Sequence, residues 1–293
     1  MTKVPLAQNI ARSLARYRQP SLAQIAGLYL RALRLGWRVP APVPAAPRPE
    51  RLVVTLTTIP ARAHRLQRVL RSLIDQSQPA NRIVLCLPRT RRRDGAAYPD
   101  PLTLGLPPGV EVLRCTDEGP VTKLLPTLTA EPDACLVVVD DDVVYPRDFL
   151  ATLLTAHRAN PIAALGLRGV CLTQGREFPA LHHVLCSAQT RLVPVDILFG
   201  TWGYLLPPGA LDAAVRDFSG MPDAVRWVDD VWVSGHLARR GVPRLVVPTR
   251  SFPVETLASA IQALTDGPNR SGQNDATAIA VFAADWGDHA SGG

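Results

Sequence analysis

Two apolar, β-branched runs separated by a helix-patterned segment constrain this chain more than any other feature. Residues 51–57 (RLVVTLT) and 82–87 (RIVLCL) have the near-continuous apolar character of strands buried on both faces. Between them, residues 62–76 set Leu66, Val69, Leu70, Leu73 and Ile74 at helical spacing. Strand, helix and strand within roughly 35 residues make a βαβ unit, and hence the start of a parallel sheet.

The pattern continues. An Arg-, Pro- and Gly-rich loop (89–109) leads to a third strand at 110–114, then to Gly119-Pro120 and a short helix near 121–129. The fourth strand, 135–139, is almost all valine and ends directly in Asp140, Asp141 and Asp142. Helices are expected at 147–158, near 208–218 and at 229–240, a less regular region over 162–206, and a strand at 244–247. The expected fold class is α/β, with a mostly parallel, Rossmann-like sheet flanked by helices in one domain over 50–265. Before it, residues 1–38 read as a basic helical leader and 39–49 as a Pro/Ala linker that cannot continue a helix. After it, 266–293 reads as a tail of polar loop and short helix.

Charge sorts by region. Residues 1–49 hold eight Lys and Arg and no acidic residue, so the other 24 basic and 25 acidic residues leave the rest of the chain at −1. A net +7 placed this way does not make a basic face on the folded domain, which argues against nucleic acid as a partner. The five cysteines form no CxxC pair and no zinc-finger spacing, as suits a reducing compartment. No apolar run reaches the roughly 20 residues of a membrane-spanning helix. The expected location is cytoplasmic, with the leader lying on an anionic membrane surface or packed against the domain or a partner.

A buried parallel strand running into three aspartates puts carboxylates at the carboxyl end of the sheet, where open α/β folds bind ligands. Adjacent like charges raise one another's pKa unless a cation neutralises them, and hard oxygen donors suit Mg²⁺ or Mn²⁺. Asp140 and Asp142 project to the same side in extended geometry. A second acidic pair, Asp229-Asp230, opens the helix at 229–240, where an aspartate also serves as a cap. Between the two lies ILFGTWGYLL, in which Gly200 and Gly203 permit close backbone approach and Trp202 offers a flat ring to a sugar or to the core. His182-His183, in an irregular stretch, are left out of the metal set.

Four strings in this order resemble the GT-A glycosyltransferase fold and its broad family 2: VVTLTTIPARAHRLQRVLRSLIDQSQPANRIVLCLP, GPVTKLLPTL, VVVDDDVVYP and WVDDVWVSGHLARRGV. The resemblance covers roughly residues 51–250. It implies Asp142 as a direct metal ligand, Asp140 near the metal or the nucleotide ribose, and Asp141 in either part. It implies nucleotide contacts from Thr57, Thr58 and Arg62, and a phosphate contact from Lys123. It makes Asp230 the general base and Asp229 its support, hence inversion at the anomeric carbon, with Gly200, Trp202 and Gly203 lining the sugar and acceptor pocket. The implied partners are a nucleotide-diphospho-sugar, UDP-linked by default, and a glycan or lipid-linked acceptor, as in polysaccharide or glycolipid assembly.

Three other readings compete. LVVVDDDVV resembles the nucleophile motif of haloacid dehalogenase-type phosphatases, but here it lies mid-chain, after a complete βαβ unit. A nucleotidyltransferase would carry a Gly-rich loop where this chain has TTIPARAHR. A transferase domain that binds without turnover is the non-enzyme reading.

Overall fold

The apolar runs become the middle of one large sheet. The computed structural model describes residues 22–172, 181–256 and 273–286. In chain order come α1 (Leu22–Trp37), β1 (Leu52–Thr57), α2 (Gln67–Ile74), β2 (Arg82–Pro88), β3 (Val110–Cys115), α3 (Leu125–Ala130), β4 (Cys135–Val138), β5 (Val143–Val144) and α4 (Phe149–Ala159). They are followed by β6 (Ala164–Gly166), β7 (Arg168–Leu172), β8 (Leu181–Leu185), β9 (Val193–Pro194), β10 (Ile197–Leu198), β11 (Tyr204–Leu206), α5 (Asp229–Arg239), β12 (Arg244–Val246), β13 (Val254–Glu255) and α6 (Gln273–Val281).

The eight-stranded sheet has the order β3-β2-β1-β4-β11-β6-β12-β9. Strands β3, β2, β1, β4, β6 and β12 run one way, while β11 and β9 oppose them. From β1 the chain moves out to β2 and β3, then returns to pair β4 on the other flank of β1. The carboxyl ends of β1 and β4 therefore meet where the strand order reverses, the crevice at which such sheets take ligands. Leu52, Val53, Val54 and Leu56 of β1 and Leu136, Val137 and Val138 of β4 are all buried, so this crevice stands on a rigid apolar base.

The region at 162–206 is more ordered than its sequence suggests. It supplies β6, β9 and β11 to the main sheet and forms a second, antiparallel sheet β10-β7-β8. The helix expected near 208–218 is reduced to a 3-10 turn at Ala213–Arg216, capped by Asp212, whose carboxylate accepts from the N–H of Ala214. Pro207-Pro208 followed by Gly209 at φ 72° keeps the chain from entering a helix earlier.

The described part of the leader is docked on the domain. Leu35 is buried, and the Arg71 guanidinium donates to the carbonyls of Leu35 and Gly36 at 2.9 Å, satisfying the last turn of α1. Arg31 donates to the carbonyl of Tyr145 and, at 3.0 Å, to the carboxylate of Asp75. The rest of the expected leader helix, residues 1–21, and the polar loop expected after residue 265 lie outside the described residues. The segment expected as a tail belongs to the core where it is described. Phe282, just after α6, is fully buried and stands edge-on to Trp232 and His236 of α5.

Candidate active site

The site starts at the residues just past the end of β1. Thr57 is used within the sheet, its hydroxyl donating to the carbonyl of Cys86 at 2.8 Å. Thr58 and Arg62 reach across the crevice instead. The Thr58 hydroxyl donates to Asp141 Oδ2 at 2.6 Å, and one Arg62 nitrogen donates to Asp141 Oδ1 at 2.7 Å and Asp142 Oδ2 at 3.0 Å. Charge-assisted bonds of this kind hold the aspartate turn against its own repulsion.

Lys123 comes from the other wall. Gly119, at φ 82°, makes the turn before Pro120, and a Cβ there would lie 2.9 Å from the carbonyl of Arg226. Asp117 ties the turn by accepting from the Gly119 N–H at 2.8 Å and the Thr122 hydroxyl at 3.2 Å. The Thr55 hydroxyl donates to the carbonyl of Lys123 at 2.6 Å, anchoring it to β1. The result is a buried ammonium with Nζ 2.8 Å from Asp140 Oδ1 and 2.8 Å from Asp229 Oδ2. Lys123 is thus neither an exposed lysine nor a free charge, because it bridges the two acidic motifs. Burial alone would lower its pKa, but Asp140, Asp229 and Asp230 overcome this and hold it well above the usual lysine range.

The second acidic pair occupies the first turn of α5, where the helix dipole favours negative charge. Val228, not an aspartate, sits at the cap position. Asp230 Oδ1 accepts from the N–H of Gly200 at 2.7 Å. Gly200 has no room for a side chain, since a Cβ would lie 2.5 Å from Lys123 Nζ and 3.0 Å from Asp230 Oδ1. Three residues on, Gly203 donates to the carbonyl of Gly200 at 2.8 Å, closing a tight turn. Gly203 holds φ 83°, and Trp202 holds φ 82°, a conformation that is costly for any residue with a Cβ. The Trp202 ring is 1% exposed and stacked on Phe252, 5.8 Å between centroids. Of the two sequence-based expectations for this ring, sugar platform or core, its burial against Phe252 fits the core. His183 lies apart from this cluster, stacked on Phe199.

Burial, with Asp140 and Asp141 beside it, pushes the Asp142 carboxyl up to about 7. Burial also raises Asp141, against the pull of Arg62. Asp230 is raised well above the carboxylate range by burial and by Asp229. Such carboxylates call for a cation. Among the described residues no three His, Cys, Asp or Glu side chains converge as a preformed metal cage. Asp140 and Asp142 nevertheless keep part of their surface open, at 22% and 20%. That donor set fits a hard divalent ion held by one or two carboxylates and completed by phosphate and water, as Mg²⁺ and Mn²⁺ commonly are.

Two tyrosines that sequence reasoning passed over belong to this constellation, although both lie inside the strings VVVDDDVVYP and ILFGTWGYLL. The Tyr145 hydroxyl accepts from the N–H of Asp140 at 2.9 Å. The Tyr204 hydroxyl, on β11, is buried with no hydrogen-bond partner among the described residues, and it feels the charges of Lys123, Asp229 and Asp230. On the same edge of the sheet, the ends of β2 and β3 border a cleft of about 810 Å³ lined by Arg114 of β3 and by Arg89, Arg91 and Arg92, in a stretch whose sequence reads only as loop.

No protein-family model matches this chain, and no match was found among curated proteins. Among solved structures it is similar to a mannosyltransferase, PcManGT from Pyrobaculum calidifontis in complex with GDP-Man and Mn²⁺, with a TM-score of 0.51 and 18% identity, over 95% of this chain and 75% of that one. The chain has a GT-A-type fold. Asp140–Asp142 follow the carboxyl end of the strand beside the opening βαβ unit, and Asp229-Asp230 open a later helix that faces them through Lys123.

Proposed function

We propose that this protein is a metal-dependent, inverting glycosyltransferase that moves a sugar from a nucleotide-diphosphate donor to a hydroxyl of a glycan or glycolipid. The observation that carries this reading is the convergence of both acidic motifs on the single ammonium of Lys123, at the switch point of a GT-A-type sheet. Asp142 and Asp140 would hold Mn²⁺ or Mg²⁺, which when bound neutralises charge on the leaving nucleotide diphosphate. Thr58, Arg62 and Asp141 shape the nucleotide side of the crevice, and Thr57 braces it from below by tying β1 to β2. Asp230 takes the proton of the acceptor hydroxyl, and a carboxyl raised above its usual range is better matched to that task near neutral pH. Asp229 and Lys123 orient it, and Gly200 and Gly203 bring the backbone close to the reacting sugar. Trp202 acts by fixing this turn. A haloacid dehalogenase-type phosphatase would carry its nucleophile straight after the first strand, whereas Asp140 follows β4, after a complete βαβ unit. The proposed setting is the cytoplasmic face of a membrane, where lipid-linked acceptors are assembled.

The test is thermal unfolding with UDP, GDP, CDP and dTDP, each with Mn²⁺ or with EDTA, on wild type and Asp142→Ala. A nucleotide at a hundredfold excess over Kd adds about 2.7 kcal/mol to the native state. UDP is the default donor base, and the neighbour's GDP-Man makes GDP the first comparison. A metal-dependent shift with one nucleotide, lost in Asp142→Ala, is expected. No shift with any of the four sinks the proposal.

A further inference from the structure

α1 has two apolar faces. One packs inward through Ile25, Leu28 and Leu35. The other carries Tyr29, Leu30, Leu33 and Trp37, whose spacing lines them up on one side of the helix. These four are 41%, 49%, 48% and 80% exposed, and Val39 and Val43 extend the surface past the helix end. Nine large apolar side chains are exposed among the described residues, and six of them fall within this short stretch. Single exposed apolar residues are ordinary on any protein, but a contiguous stripe marks an interaction surface.

The charge beside the stripe says what it meets. Arg34 and Arg38 are exposed on α1 and just beyond it, and residues 1–49 contain no acidic residue at all. Two copies packed symmetrically through this face would set two basic segments side by side, with Glu255, whose charge acts on Tyr29, as the acidic group beside each stripe. A leucine stripe with an exposed Trp and Tyr and a cationic edge suits a helix lying among the headgroups of an anionic bilayer. No described helix is long and apolar enough to cross a membrane.

We infer that Tyr29, Leu30, Leu33 and Trp37 form a docking face for an anionic lipid bilayer, with Arg34 and Arg38 meeting the headgroup charge. The inference does not rest on the transferase reading, because lipid binding is measured without donor or acceptor.

The full-length protein is sedimented with phosphatidylcholine vesicles, either pure or containing roughly one-third phosphatidylglycerol. Wild type is expected on the anionic vesicles and is released by salt. Leu30→Ser/Leu33→Ser/Trp37→Ser is expected to bind at least about tenfold more weakly. Arg34→Gln/Arg38→Gln should lose about fivefold per charge at low salt. Brominated lipid should quench tryptophan fluorescence in wild type but not in Trp37→Phe, a mild substitution that keeps the test informative if the triple variant misfolds. Absence of vesicle binding overturns the inference, as does a concentration-dependent dimer that uses the stripe in place of lipid. So does binding that survives the stripe variant but is lost in Lys3→Gln/Arg12→Gln/Arg16→Gln/Arg18→Gln.

Discussion

Nζ of Lys123 lies 2.8 Å from Oδ2 of Asp229, so the ammonium that neutralises the first aspartate after β4 also neutralises the first residue of α5. Among the described residues that Asp229 oxygen has no aligned hydrogen-bond donor, and the ammonium charge is what holds it. Lys123→Met should therefore destabilise the protein by about 3–5 kcal/mol, the range for leaving buried charge uncompensated. Adding Asp229→Asn should recover part of that loss, and urea unfolding of the two single variants and the double variant measures the coupling.

Gly200→Ala tests the site more selectively. The added methyl would lie 2.5 Å from Lys123 Nζ and 3.0 Å from Asp230 Oδ1, so one of these must move. A stability loss of about 1–3 kcal/mol is expected, as for overpacking elsewhere. Sugar transfer should fall by more than that loss explains, because Asp230 is displaced. Turnover and thermal unfolding, measured on the same preparation, separate the two effects.

A third expectation concerns acid. Hydrogen bonds from Arg51, and then from Arg82, hold Glu131 down to about 2, against burial. The carboxylate accepts from Arg51 at 2.6 and 2.9 Å. Its folded pKa is depressed, so the stability it adds is complete above about 4.5, its ordinary value, and is lost as pH falls toward about 2. Glu131→Gln should cost about 1–2 kcal/mol at neutral pH, less than the full shift implies, because the Arg51 side chain is half exposed. The gap between variant and wild type should close across that acid window in pH-dependent urea unfolding.

Phe282 supplies a fourth test, at the other end of the chain. Its fully buried ring lies so close to Gly235 of α5 that a Cβ there would come within 2.3 Å of it. Phe282→Ala should cost about 3 kcal/mol or more. Hydrogen exchange over residues 273–286 should rise sharply in the variant if that segment is docked as described.

Strong patterning made β1 through β4 and α5 legible within a residue or two, whereas the helical pattern at 62–76 is α-helix only over Gln67–Ile74, its start taken by a 3-10 turn at Ala63–Arg65. Long apolar runs leave little choice of element. The acidic positions were legible for the same reason, since a valine strand fixes where its end must lie. β11 was not. Three residues, Tyr204–Leu206, insert antiparallel between β4 and β6, and a run that short carries no measurable period. Nor does a sequence say which way a tryptophan turns. Trp202 is buried in a turn where it holds a positive φ, and neither feature is written in the local sequence. Lys123 is a similar case, because its partner on α5 is distant in sequence. The tyrosines at 145 and 204 lie inside quoted strings, but nothing in those strings singles them out, and only the folded sheet brings their hydroxyls to the carboxylates.

The contact between Arg31 and Tyr145 has a practical corollary. The guanidinium takes the carbonyl of the same tyrosine whose hydroxyl receives the Asp140 N–H. A Pro/Ala stretch at 39–49 invites an experimenter to trim everything before it as a dispensable appendage. Such a cut would strip a partner from the residue that steadies the aspartate turn, and a shortened protein that bound nucleotide poorly would have lost a brace on the turn itself.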